Sequence, residues 1–119
     1  MIGKIIAGSS FGATVSYVMK EQSRILGFEG IEPPGVQDMV RDFKDQTLLN
    51  PRIKNAVGHI SLPFSPKDAD RLTDPAMAQI AREYMERMGI RNTLFLIVRH
   101  MDQAHPHCHI VYNLSLIHI

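Results

Sequence analysis

The sequence predicts an α+β fold, a central and mostly antiparallel sheet with helices packed on one face. Three observations carry this. Short β-branched runs alternate with amphipathic stretches of helical period, in the order β-α-(β)-α-β-α-β-β. The last two strands are joined through a short loop with turn residues Gln103-Ala104-His105-Pro106, which suits a hairpin and therefore antiparallel pairing. The chain of 119 residues is one domain, long enough for a single modest core.

The elements follow in order. Ile2 to Ala7 is short and β-branched, a first strand. Gly8-Ser9-Ser10 breaks it, and Ser9 or Ser10 supplies the N-cap of a helix from about Phe11 to Gln22. On a helical wheel Phe11, Val15, Val18 and Met19 share a face. Tyr17 falls almost opposite, beside Ala13, Lys20 and Glu21, where the core does not need it. Ser23 to Gly30 reads equally as a short strand or an extended loop. Glu32-Pro33-Pro34-Gly35 is a break. Val36, Met39, Val40 and Phe43 then place a second helix over about Val36 to Leu48, with Asp38, Arg41, Asp42, Lys44 and Asp45 as its solvated face.

In the strand Ala56 to Phe64, alternation turns Gly58, Ile60, Leu62 and Phe64 toward the core and leaves His59 and Ser61 on the opposite surface. Ser65-Pro66-Lys67-Asp68 opens a helical turn with an N-cap and a proline in first position. Thr73-Asp74-Pro75 opens a longer helix to Met88, whose buried stripe is Met77, Ile80, Ala81, Tyr84 and Met88 and whose end is capped by Gly89. Thr93 to Val98 and His107 to Tyr112 are the final strands, with Pro106 at the edge of the second, where its missing N–H does least harm.

Composition narrows the function classes. The net charge of +1 gives no globally basic surface, so a nucleic-acid partner has to be argued from a site. Cys108 is the only cysteine, which excludes an internal disulfide framework and makes a reducing cytoplasm the simplest setting. The apolar start is too short for a secretory signal, and no run is long enough to cross a membrane.

Four of the six histidines lie between His100 and Asn113. Alternation sends His107, His109, Val111 and Asn113 to one face and Cys108, Ile110 and Tyr112 to the other. The paired strand brings His100 back to the same region, so three imidazoles converge. Three histidines with positions left open describe a catalytic divalent site better than a closed structural one. Ordinary surface or core histidines are the better reading for a lone residue, not for three on one hairpin face. Asp102 suits an outer role, accepting an N–H from a ligating ring. His105 sits in the loop and reads as exposed. Cys108 faces away from the ligands, as a small apolar residue and not a nucleophile.

These residues carry a resemblance. His100-x-Asp102 followed by Pro106-His107-x-His109-Ile110-x-x-Asn113 resembles motif III of the conjugative relaxases, the mobilisation nucleases of the HUH endonuclease superfamily. His107-Cys108-His109 fills its His-hydrophobic-His core. Ser10-Phe11-x-x-x-Val15-x-Tyr17-x-x-x-Glu21-Gln22 looks like motif I of the tyrosine relaxases, and the short stretch His59-Ile60-Ser61-Leu62 resembles motif II. The likeness spans residues 1 to 113, the N-terminal part of a relaxase nuclease domain. Such domains continue well past motif III, whereas the tail 114–119 here is apolar and atypical, reading as an artificial end to a truncated chain.

The resemblance implies a function: metal-dependent, site- and strand-specific DNA nicking by transesterification at a plasmid or mobile-element origin of transfer. It implies Tyr17 as the nucleophile that becomes linked to a 5′ phosphate, with Tyr84 and Tyr112 as weaker candidates. Asp102 would orient a ligand or help remove the phenol proton. His100, His107 and His109 would hold a divalent ion, Mg or Mn in use, although all-imidazole ligation also accepts Zn, Co or Ni. Ser61 and Asn113 would touch the DNA. The partners implied are single-stranded or locally melted DNA and accessory mobilisation proteins, with no membrane. Two alternatives stand beside this. A replication initiator or transposase shares the His-hydrophobic-His pair but places its tyrosine after the motif, whereas the matching tyrosine here precedes it. A non-catalytic metal- or nucleic-acid-binding module would form no tyrosine-dependent adduct.

Overall fold

A computed structural model of the chain describes residues 4–8, 10–20, 22–53, 56–101 and 105–115. Five strands form one sheet: β1 (Lys4–Gly8), β2 (Ser23–Glu29), β3 (Val57–Pro63), β4 (Phe95–His100) and β5 (His107–Asn113). Their spatial order is β1-β3-β5-β4-β2, and every neighbouring pair is antiparallel. The closing hairpin therefore sits in the middle of the sheet, with β1 and β2 at the edges. The helix α1 (Phe11–Val18) connects one edge to the other and must cross the sheet to do so.

The helices α1 and α2 (Val36–Thr47) share one face, the one that bears Ser61 and the histidines and that alternation alone leaves uncovered. Phe11, Val15 and Val18 from α1, with Met39 and Phe43 from α2, pack on Val57, Leu96, Val98 and Val111. The rings of Phe11 and Phe43 stack at 4.9 Å between centroids. The third helix, α3 (Asp74–Arg87), covers the opposite face, where Met77, Ala81 and Met85 meet Ile60, Leu62, Ile97, Cys108, Ile110 and Tyr112. The surface bearing Ser61 and the histidines is thus partly roofed by α1, and the sheet is a middle layer. The cue lies in β4 and β5, which are apolar at consecutive positions, as strands covered on both faces must be; β5 is buried at all of its positions.

Several boundaries differ from the periodicity reading, each for a local reason. The α1 helix stops at Val18 with Met19 as its C-cap and does not run to Gln22. Gln22 adopts φ 61°, turning the chain straight into β2. Its N-cap is Ser10, whose Oγ accepts from the Ala13 N–H at 3.0 Å. The ambiguous stretch after it is a true edge strand, with a bulge between Ile25 and Gly27. The turn at Pro66–Arg71 is a 3-10 helix. In α3 the buried stripe runs Met77, Ala81, Met85 at intervals of four, which leaves Met88 40 % exposed, contrary to its assignment to the core. Gly89 closes α3 at φ 76°, the left-handed conformation that glycine adopts without strain. Among the described residues no helix is long and apolar enough to cross a membrane.

Candidate metal centre

The hairpin register sets His100 directly opposite His107 and Val98 opposite His109. Residues paired across antiparallel strands share a face, so the alternation that joins His107 to His109 also brings in His100. Ring centroids are 4.2 Å apart for His100 and His109, 5.2 Å for His100 and His107, and 5.4 Å for His107 and His109. All three side chains are buried, and one nitrogen from each lies within 4.8 Å of the others. With metal–nitrogen bonds of about 2.1 Å, donors to one ion stand at most about 4.2 Å apart, so a small inward rotation of the rings completes the set.

The hydrogen bonds around the rings suit such an ion. His100 Nε2 lies 2.9 Å from the Val18 carbonyl oxygen, and His107 Nδ1 lies 3.1 Å from that of His105. A carbonyl only accepts, so each of these nitrogens carries the proton, and the lone pair is on the other side of the ring. His109 Nδ1 is 2.8 Å from Nε2 of His59. Its own Nε2 is buried and has no hydrogen-bond partner among the described residues. A cation satisfies that atom, and partners on the far side of the ring are how metal-ligating histidines are held. His100, His107 and His109 therefore form a site consistent with a divalent metal cofactor.

Burial and neighbouring charge favour the neutral form of His109 and His59. Burial above all, then the charges of His100, His59, His107 and Lys20, push His109 down to about 3 from an ordinary 6.5. Burial and then His100 lower His59 as well. Only a neutral imidazole has a lone pair to give.

Around this centre the residues singled out by sequence sort clearly. Tyr17 stands in the last turn of α1, 49 % exposed. Its ring is edge-on to His109 at 5.6 Å, to His100 at 5.9 Å and to His59 at 6.1 Å. The Lys20 ammonium lies 5.1 Å from the centre of the same ring. Ser61 pairs with His109 across β3 and β5 and is half-buried beside it. Asp102 lies outside the described residues, as do residues 116–119 of the tail. His105 is exposed and contributes its carbonyl.

Other residues face away. Cys108 points into the α3 core with its thiol pushed up to about 12 by burial, which removes it as a nucleophile. Tyr112 is buried on that face too, raised first by burial and then by Tyr84.

Asn113, expected to touch DNA, sits inside the protein. It is wholly buried, and its amide donates to the Phe43 carbonyl at 2.9 Å and to Thr47 Oγ1 at 3.1 Å. Its carbonyl accepts from the N–H and the hydroxyl of Ser115, at 2.8 and 2.6 Å. Two donors and two acceptor sites are all that an asparagine has. These bonds tie the end of β5 to the end of α2. The start of the atypical tail belongs to this structure: Leu114 N–H donates to the Ala56 carbonyl at 2.7 Å, and Ser115 is buried.

Sequence reasoning left His59 without a role. Its alternation with Ser61 was visible, but its contact with His109 depends on the register between β3 and β5, strands far apart in the chain.

Comparison with curated proteins and with solved structures found no match. The family model described as relaxase, MobA/VirD2-like, nuclease domain matches residues 17–115, a span from the tyrosine over the histidine cluster to the serine held by Asn113. The chain belongs to that relaxase nuclease family.

Proposed function

We propose that this chain nicks one DNA strand by transesterification at an origin of transfer, with Tyr17 as nucleophile and a 5′-phosphotyrosine link as product. The observation that carries the reading is the tyrosine ring poised edge-on against the His100–His109 pair while remaining half open to solvent. A phenol buried in a core would have no route to a phosphodiester. One displaced from the histidines would have no charge to assist it.

In this scheme the Tyr17 oxygen attacks the scissile phosphorus, the bond to the 3′ oxygen breaks, and the phenol proton is transferred away, ending on the departing hydroxyl. Asp102 would take that proton or orient a ring. A divalent ion held by His100, His107 and His109, Mg or Mn in use, would supply Lewis-acid neutralisation of the phosphate oxygens. Lys20, beside the tyrosine ring, adds positive charge near the same oxygens. Ser61, next to His109, would contact the DNA backbone. The covalent link conserves the bond for later rejoining. The substrate would be single-stranded or locally melted and the setting cytoplasmic, with accessory mobilisation proteins presenting the origin.

Covalent capture tests this. The protein with Mn is incubated with a randomised pool of single-stranded oligonucleotides, and adducts that survive denaturing detergent are sequenced and mapped on the protein. Adducts confined to residue 17 and abolished in Tyr17→Phe are expected. Adducts that persist in that variant, or no adduct from any sequence, would overturn the proposal.

A further inference from the structure

We infer that His59 is a positioning residue for the metal, a side chain whose Nε2 accepts the His109 Nδ1–H and so holds the His109 Nε2 lone pair toward the ion. The inference rests on the metal site and not on the nicking reaction.

The argument starts from the direction of one hydrogen bond. His59 Nε2 and His109 Nδ1 are 2.8 Å apart, so one proton lies between them. Were it on His59, neutral His109 would carry its own proton on Nε2, a buried atom that meets no acceptor among the described residues. An N–H stranded in that way keeps the full desolvation penalty of a buried donor. With the proton on His109 Nδ1, that cost is avoided once Nε2 faces a cation. His59 must then be neutral, with its own proton on Nδ1.

The three candidate ligands are held in different ways. His100 and His107 each face a backbone carbonyl, from Val18 and His105, and no substitution of a side chain removes an acceptor of that kind. Among these partners only the one facing His109 is a side chain. His59 reaches it because β3 pairs with β5, with Ser61 opposite His109 and His59 two residues along on the same face. The rings of His59 and His109 lie 4.9 Å apart, tilted by 39°. His59 is not in the group whose nitrogens converge, which are those of His100, His107 and His109. The arrangement makes a mixed donor set: His100 through Nδ1, His107 and His109 through Nε2.

The test compares Mn affinity by calorimetry in the wild type, His59→Ala and His59→Gln, alongside nitrogen-15 NMR of the imidazoles with and without a diamagnetic ion. A glutamine carbonyl can stand near the position of His59 Nε2 and accept the same proton. His59→Ala is expected to bind Mn about 10- to 100-fold more weakly, with His59→Gln recovering most of that loss. In the wild type the Nδ1 proton should appear on His109 before metal is added, and addition should shift His109 Nε2 while leaving His59 Nε2 without a coordination shift. Equal affinity in His59→Ala, a proton found on His59 Nε2, or a coordination shift at His59 itself would each overturn the inference. The NMR arm uses the wild-type protein, so poor folding of a variant leaves a decisive measurement in place. Failure of the DNA adduct with an intact His59 result would discard the nicking proposal alone.

Discussion

Asn113 and His109 are both buried polar residues next to the site, and they behave oppositely. Asn113 has every donor and acceptor satisfied inside the protein. Asn113→Ala removes both ends of that network and strands the Ser115 N–H, at a cost of about 3 kcal/mol in a urea unfolding titration. A change of under about 0.5 kcal/mol would mean the network is not holding β5 to α2. His109 is bonded through Nδ1 to His59 but its Nε2 meets no partner among the described residues, and its charge is strongly disfavoured. Its folded pKa of about 3 lies below the ordinary 6.5, so the unfolded chain takes up the proton first as pH falls. The metal-free protein should therefore keep this contribution above pH 6.5 and lose it progressively toward pH 3, with His59 steepening the slope. Urea midpoints measured across that range would be flat if these rings were not buried as neutral groups.

At the scale of the elements, β3, β5 and α1 each do a specific job for the site. Gly58 faces Tyr112 across β3 and β5, and a Cβ there would run into the Tyr112 ring. Gly58→Ala should cost about 1–3 kcal/mol through forced displacement of that ring, since β5 is packed on both sides. Thermal melts would check it, and an unchanged melting temperature would show that the ring moves freely. Ser10→Ala, which removes the N-cap of α1, should cost about 1 kcal/mol by the same measurement.

The elements also show what one sequence can reveal. The hairpin and its three histidines were legible because alternation and a short loop are local properties, needing only residues 93 to 113. The exposure of Tyr17 was legible from the helical wheel. The partnership of His59 and the burial of Asn113 were not, because each depends on which strand or helix lies alongside, through pairings separated by 50 and 70 residues. The layering was half legible: Ile60 and Leu62 marked one covered face, but nothing local said that α1 and α2 would pack on the other, the face of Ser61 and the histidines.

For the molecule as a whole, three central-face histidines in a chain of net charge +1 place the functional charge in an ion more than in the protein surface. Metal binding should raise overall stability, by about 2.7 kcal/mol at free metal 100-fold above Kd. A melting series with Mn, and with His100→Ala as the control that removes one donor, measures this. An unchanged melting temperature in the wild type at saturating Mn would count against the site.

The 2.9 Å contact between His100 Nε2 and the Val18 carbonyl joins groups 82 residues apart in the chain. It ties the end of α1, one residue past Tyr17, to a ring that would also grip the ion. Loading the centre should therefore also steady the end of α1, with the imidazole as the link between them. Amide hydrogen exchange at Met19 and Lys20, whose N–H groups bond back to Val15 and Tyr17, should slow when metal is added. Tyr17, the proposed nucleophile, would then be held most firmly when the ion is in place.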